Sequence, residues 1–598
     1  MEKVNKEYLA RLRKTMKDHG IDAVVISNTD PHQSELPPMH WRGREWLTGF
    51  ASGNGTNGTA VVTQKDALVW TDSRFFIQAE EQLKGTGFSM MKEDGPEASD
   101  LIDWLVENVN EGQTVGIDGM TFSVAYAQRI EQECNDNGIK LNTNFPLFDY
   151  IYPDRPERPM NPLFVHDETI VGQTVDSKMD DIMTEVKADL ANSILMSSLD
   201  DIAWATNVRT ANDILYSPMF VSYLYVDDSQ RILFVDEEKV TDEVKKHLDK
   251  YHIEVKPYDS VVDFVASLPK VNRLLVDPEK TARGIYDKIS CTPVFGGAGV
   301  ARLKSIKNPT MLQNINIAMD KDGVALVKFF KYVEENAPGG KLSEVSLGKT
   351  LRDLRLADPS CVDESFHPII GWNAHGAIVH YEATEETDFT IEGDGLLLVD
   401  SGGQYTFGTT DITRTVAIGT PTEDQKHDFT LVLKGHIALS CVKFPEGTRG
   451  AQLDVLARQF LWAEGKAYYH GTGHGVGFFI NCHEGPQNIR LNENPARLEP
   501  GMVTSNEPGL YLEGKYGIRT ENLIAVEKYM TTDFGPFFRF ETLTMFPYDK
   551  NLLDLSILTQ PEIDWINNYH KTVYARLAPH LSEEEKKWLE EKTSPITK

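Results

Sequence analysis

Cysteine is scarce: Cys134, Cys291, Cys361, Cys441 and Cys482 are widely scattered, and no two form a Cys-x-x-Cys pair. An odd, dispersed set indicates neither a disulfide framework nor a thiolate zinc site, and it fits a reducing compartment. Positive charge is also in deficit, with 60 Lys and Arg against 90 Asp and Glu. That imbalance repels phosphate backbones and anionic lipid, so neither nucleic acid nor membrane is an expected partner, whereas cations are. Long apolar runs are missing. The longest uncharged stretch, Trp46 to Gln64, is full of Gly, Asn and Thr, which excludes a transmembrane helix. The opening MEKVNKEYLARLRKTM alternates charge with apolar residues at helical spacing, unlike a signal peptide, so a cytoplasmic location is expected.

Several common motifs fail on inspection. Gly53-x-Gly55-x-x-Gly58 has dinucleotide-binding spacing, and Asp72 lies near the ribose-binding offset. The strand-like TAVVT and ALVWT follow it where that motif would open a helix, so the glycines read as a turn. Gly348-Lys349-Thr350 has Ser343 in place of the first P-loop glycine, and neither His-Glu-x-x-His nor Gly-x-Ser-x-Gly occurs.

What is present is α/β alternation. A helical pattern around Tyr8, Leu9, Leu12 and Met16 precedes the strand run Ala23 to Ile26 and further strands at Thr59–Thr63 and Ala67–Thr71. The Pro-rich YPDRPERPMNP cannot sustain a helix or central strand and reads as a linker. A second α/β segment follows, and REWLTGF and DIAWATNV each place Trp (Trp46, Trp204) four residues before an apolar residue, after a helix and a strand, a faint internal echo. Pro309 at a first helical position opens a long helix to about Glu335. The expected domains are 1–160 and 161–307, two similar α/β units, then 308–598, so the fold class is α/β (α+β) with a separate C-terminal domain.

Three clusters in the last segment carry chemistry. In LLLVDSGGQYTFGTTDITRTVAIG an apolar strand ends in Asp400, and a hairpin would bring Asp411 beside it. Paired acids at strand ends repel unless a cation sits with them, although turn capping explains each one singly. In YYHGTGHGVGFFINCHEGP, His470, His474 and His483 lie on glycine-rich backbone that cannot form a helix, as ligands or as structurally satisfied histidines. In TSNEPGLYLEGKYGIRTENLIAVE, Glu507 ends a strand before Pro508-Gly509 and Glu521 falls inside the next strand; a solvated surface hairpin is the plainer reading. As a set, four carboxylates and one imidazole suit two hard or borderline divalent ions, Mn²⁺ above all, with Co²⁺ or Zn²⁺ able to substitute.

These residues in this order resemble the dinuclear metallopeptidases of the pita-bread fold, whose ligands run Asp, Asp, His, Glu, Glu; the spacings here are 11, 63, 33 and 14. HGTGHGVG, HEGP, NEPG, GIRTEN and GWNAHGAIVHYEAT, with PHQSE, REWLTGF and TDSRFF upstream, are similar to the aminopeptidase P family in its long three-domain cytoplasmic form. The resemblance implies a C-terminal pita-bread catalytic domain and cleavage of the N-terminal Xaa-Pro bond by a water held between two ions. It implies Asp400 as a ligand of one ion, Asp411 and Glu521 as bridging ligands, and His474 and Glu507 as ligands of the other. It further implies Glu507 as proton shuttle, His380, His470 and His483 as non-ligand active-site histidines, Arg414 and Arg519 as partners of the ligand carboxylates, Arg74 at the far end of the peptide, and a homodimer. Asn506, where relatives carry an acid or an apolar residue, is a departure at a non-ligand position. Prolidase, with the same fold and metals but confined to dipeptides, is the alternative; a metal-free peptide-binding module would have lost ligands, and all five are present.

Overall fold

The structure, a computed structural model, describes residues 2–51, 57–95 and 97–598, with the side chains of 2–5 and 298 outside the description. Gly53 and Gly55 of the dinucleotide-like motif lie outside the described residues, while the strands after it, Thr59–Thr63 and Ala67–Thr71, are present. The chain forms two compact units, Met1–His166 with Gln173–Leu303, and Asp167–Gly172 with Lys304–Lys598.

The first unit contains two six-stranded mixed sheets of the same topology. In one, Ala23–Ile26 pairs antiparallel with Thr59–Thr63 on one side and parallel with Thr114–Gly116 on the other. In the second, Ser193–Met196 occupies the same place, antiparallel to Tyr223–Asp227 and parallel to Arg273–Val276. The faint echo in the sequence is therefore a repeated architecture, with Trp46 and Trp204 on the helices Gly43–Thr48 and Leu199–Thr206 that follow the two equivalent strands. Central strands such as AVVI are buried at every position, so they read as continuous apolar runs instead of alternating ones. His32 of PHQSE links the two halves: Nδ1 hydrogen-bonds Ser197 O at 2.8 Å and Nε2 meets Tyr258 Oη at 2.9 Å.

The second unit opens on the helix Pro309–Asn336, capped by Asn308, whose Oδ1 accepts from Met311 N–H. Its apolar face, including Leu326, Phe330 and Val333, packs with the strand Gly395–Ser401 and the helices Glu423–Cys441 and Gln560–Leu577 in one core. Full burial of side chains such as Ile566 and Val573 is worth ~1.5–3 kcal/mol each. The tail SEEEKKWLEEK forms a helix, Glu583–Thr593, whose Leu589 is buried in that core.

Two antiparallel sheets of this unit carry the acids and histidines singled out in the sequence. A three-stranded sheet runs Ile369–Trp372, Gly395–Ser401, Ile412–Ile418. A six-stranded sheet runs Lys443–Pro445, Gly535–Thr542, Asn522–Thr532, Val503–Asn506, Gly473–Gly475, Glu484–Ile489. The strand expected to contain Glu521 is in fact two. Tyr516–Arg519 pairs with Gly509–Leu512, whereas Asn522–Thr532 pairs with Val503–Asn506. The chain changes sheet between them, so Glu521 sits in the break and not inside a strand.

Candidate metal centre

The break in pairing organises the site. Asn506 pairs with Asn522 and Gly509 with Arg519, which leaves Glu507 and Glu521 at the same crossing from one sheet into another. From the three-stranded sheet, Asp400 pairs with Thr413, two residues beyond Asp411, so the expected hairpin holds, with a short excursion through Gly403–Tyr405 and Gly408–Thr409. His474 comes from the irregular strand Gly473–Gly475. A Cβ on Gly473 would collide with the backbone carbonyl of Ser505, so only glycine lets this strand approach closely enough to aim the imidazole inward.

His474, Asp411 and Glu521 place ligand atoms within 4.8 Å of one another. His474 Nε2 lies 3.4 Å from Asp411 Oδ2 and 3.6 Å from Glu507 Oε1. His474 Nδ1 is 2.9 Å from Gly475 O, and a carbonyl only accepts, so Nδ1 carries the proton and Nε2 faces the acids. Hydroxyls orient the glutamates: Thr413 Oγ1 donates to Glu521 Oε2 at 2.8 Å, and Ser505 Oγ donates to Glu507 Oε1 at 3.2 Å.

Charge at this crossing is out of balance. Burial, helped by neighbouring acids, raises Asp400 and holds Glu521 well above the usual carboxylate range, and burial pushes Glu507 up to about 7. Asp411 goes the other way: burial alone would raise it, but His474, His483 and Cys482 together outweigh that and lower it. Arg519 supplies positive charge, with Nη2 2.6 Å from Asp400 Oδ2. Three buried oxygens, Asp400 Oδ1, Asp411 Oδ1 and Glu521 Oε1, meet no hydrogen-bond donor among the described residues. Buried carboxylate oxygens without donors are costly, and an oxygen-rich set with one imidazole fits hard or borderline divalent cations.

The remaining expected residues have different surroundings. Arg519 does bind the carboxylate of Asp400, but Arg414 meets none of the expected ligand carboxylates: it donates to the backbone carbonyls of Glu521 (2.5 Å) and Phe546 (2.6 Å) and to Asn522 Oδ1 (2.8 Å), holding the break in shape. His470 Nε2 is 2.8 Å from Tyr511 Oη, and Arg519 Nη1 donates to the same hydroxyl at 2.8 Å. The His483 ring is edge-on to His474, with centroids 4.3 Å apart. His380 lies in the turn after the short helix Asn373–Ala377 and is half-buried. Arg74 belongs to the other unit, where it pairs with Asp72 at 2.7 Å.

Sequence reasoning overlooked two residues. Tyr511 joins His470 to Arg519, and in the sequence only its place two residues after Gly509 hinted at the site. Cys482 Sγ donates to Asp411 Oδ2 at 3.2 Å, although the scatter of cysteines argued against any sulfur at a metal centre.

Matches to known families agree with this geometry. Residues 313–528 match the model of metallopeptidase family M24 and 536–596 the C-terminal region of that peptidase, while 9–143 and 154–311 each match the creatinase/prolidase N-terminal domain. The chain belongs to metallopeptidase family M24, with creatinase-type N-terminal domains and a pita-bread C-terminal domain. Over its full length it is 36% identical to Xaa-Pro aminopeptidase 1 of Dictyostelium discoideum, covering 98% of this chain and 96% of that one. It is likewise 36% identical to aminopeptidase P2 of Arabidopsis thaliana, covering 99% and 89%. The crystal structure of X-prolyl aminopeptidase from Caenorhabditis elegans, described as a cytosolic enzyme with a di-nuclear active site, superposes with a TM-score of 0.94 at 31% identity over 99% of this chain and 100% of that one. Xaa-Pro dipeptidase from Bacillus anthracis shares the fold alone, at 20% identity and a TM-score of 0.52 over 63% of this chain and 99% of that one. Among the described residues, no helix is long and apolar enough to cross a membrane.

Proposed function

We propose that this chain is an Xaa-Pro aminopeptidase, removing the first residue from peptides with proline at position two. The observation that carries the reading is full-length similarity to Xaa-Pro aminopeptidases together with the convergence of Asp411, His474 and Glu521. Asp400 would hold one of two divalent ions, His474 and Glu507 the other, and Asp411 and Glu521 would bridge them, with Mn²⁺ the favoured ion. When bound, such ions polarise the scissile carbonyl and lower the pKa of the attacking water.

The protein's own groups do the rest. Proline contributes a tertiary amide with no N–H, so recognition of the substrate backbone cannot rest on that donor, and the leaving nitrogen must receive a proton. Glu507 is the candidate carrier: its side chain is 17% exposed, against 10% for Asp400 and 4% for Asp411, so it is the carboxylate of these three that a substrate reaches most readily. Burial pushes Tyr511 up to about 12, so its hydroxyl keeps its proton and donates to His470 Nε2 while accepting from Arg519. In this network His470 is a positioning residue, steadying Arg519 against Asp400, while His380 and His483 are proposed to contact the substrate. The proposal includes domains at 1–160, 161–307 and 308–598, a homodimer, and a cytoplasmic location, which is supported by the cytosolic relative and by five cysteines that form no disulfide.

The test is hydrolysis of an Xaa-Pro-Xaa tripeptide and an Xaa-Pro dipeptide by chelator-treated protein, before and after Mn²⁺ is restored. Tripeptide cleavage that disappears and returns with the metal is expected. Activity limited to the dipeptide indicates prolidase, and full activity in stripped protein overturns the metal reading.

A further inference from the structure

We propose that Cys482, Asp411 and His483 form a second, softer cation site overlapping the dinuclear centre, one that captures Zn²⁺ or Cd²⁺ in competition with the harder ions of the catalytic pair. The proposal rests on the reading of Asp411 as a metal ligand. Ligand atoms of these three side chains lie within 4.8 Å of one another, a grouping separate from that of Asp411 with His474 and Glu521. Cys482 Sγ stands 3.2 Å from Asp411 Oδ2. In a tetrahedral zinc site, with Zn–S near 2.3 Å and Zn–O near 2.0 Å, sulfur and oxygen are about 3.5 Å apart, so a shift of a few tenths of an ångström accommodates the ion. Asp411 also has a buried oxygen, Oδ1, that meets no donor among the described residues. His483 is half-buried where Cys482 and Asp411 are buried, so an ion approaches from the His483 side.

The chemistry separates the two groupings. Carboxylates with one imidazole serve Mn²⁺, whereas thiolate, imidazole and carboxylate together favour softer ions that bind thiolate strongly. Because both groupings draw on Asp411, a soft ion held by Cys482 and His483 diverts that carboxylate from its place between the catalytic ions. Zn²⁺ then supports activity at low occupancy and inhibits in excess, with the sulfur setting the threshold.

The experiment adds Cd²⁺ to the full-length, Mn²⁺-loaded protein and follows the near-ultraviolet absorption of a thiolate–cadmium bond, in the wild type, Cys482→Ser, Cys482→Ala and His483→Gln, with circular dichroism to verify folding. Expected are a saturable band in the wild type, its loss in both Cys482 variants and its weakening in His483→Gln. The Cd²⁺ or Zn²⁺ concentration for half-inhibition should rise roughly tenfold or more without the sulfur. A wild-type protein that takes up Cd²⁺ with no such band, or folded Cys482 variants that keep it, overturns the assignment and leaves Cys482 as a hydrogen-bond donor to Asp411. Mn²⁺ retained per chain on dialysis of the wild type and Asp411→Asn, measured alongside, tests the dinuclear reading independently, so the two failures are distinguishable.

Discussion

Arg519 directs two donors at one oxygen of Asp400, Nη2 at 2.6 Å and Nε at 3.1 Å from Oδ2, and the other oxygen, Oδ1, has no donor among the described residues. The guanidinium thus fixes the carboxylate plane while leaving one oxygen for a cation. Arg519→Lys keeps the charge but loses the fork. Metal affinity is expected to fall by roughly 10- to 100-fold, read as Mn²⁺ per chain after dialysis, with kcat/KM falling in parallel. Unchanged metal content and unchanged kcat/KM would show that Asp400 needs no such anchor.

Asp411 is met by two neighbouring side chains at one oxygen, with His474 at 3.4 Å and Cys482 at 3.2 Å from Oδ2. Asp411→Asn should abolish turnover and reduce bound metal, as measured by Xaa-Pro-Xaa hydrolysis and elemental analysis on the same preparation. Near-native activity with two ions retained removes Asp411 from its bridging role.

Tyr511→Phe deletes the hydroxyl that joins His470 to Arg519. His470→Ala removes the same link from its other end, and both are expected to lower kcat by roughly tenfold or more with metal content unchanged. Since the two act through one network, the double variant should be hardly worse than either single one. Additive losses would mean that His470 acts elsewhere, and loss of ions would mean that it is a ligand.

Gly473→Ala tests the close approach behind His474. The added carbon would strike the Ser505 carbonyl, which belongs to a paired strand and cannot swing aside as a side chain can. Destabilisation of ~1–3 kcal/mol is expected, visible as a lower denaturant midpoint, together with weakened metal binding. A variant as stable as the wild type, with full metal content, would contradict the packing argument.

Stability at acid pH follows from two buried histidines that are not among the expected ligands. Burial, with Arg414 adding its charge, holds His436 down to about 3, and burial, with Lys550 and Arg414, does the same for His570. His570 Nε2 accepts the Tyr548 N–H at 3.1 Å and therefore has to be unprotonated. Between about 3 and the unfolded value of 6.5 the unfolded chain binds the extra proton. Stability is thus complete above 6.5 and drains away as pH falls, by about 1.4 kcal/mol per pH unit for each histidine. Urea unfolding at pH 7.5, 6 and 5 should show this slope, and His570→Asn should reduce it by one histidine's share. An unchanged slope would refute the neutral-imidazole reading.

Much of the site was legible in the chain. Asp400 closes an unbroken apolar run, His474 stands among glycines, and Glu507 and Glu521 flank a Pro-Gly turn, so residue type and order pointed to a cation site before any coordinate was known. The repeated α/β architecture was barely visible, because strands buried on both faces carry no alternation to compare and only Trp46 and Trp204 echoed one another. Glu521 was misplaced inside a strand, since GIRTENLIAV is apolar enough on both sides to read as one element; the sheet change depends on which distant strands pair with each half.

Sequence alone determined the kinds of side chain available for chemistry and the strand ends and glycine bends that carry them, since these follow from local backbone preference and the cost of leaving an acid buried. Tertiary structure alone decided that Arg414 grips backbone while Arg519 grips a carboxylate, that Tyr511 connects two elements of the site, and that a cysteine with no neighbour in sequence rests against Asp411. Those relationships join residues 8 to 119 positions apart, and hydrogen bonds and ion pairs act over a few ångströms of space, a quantity set by packing.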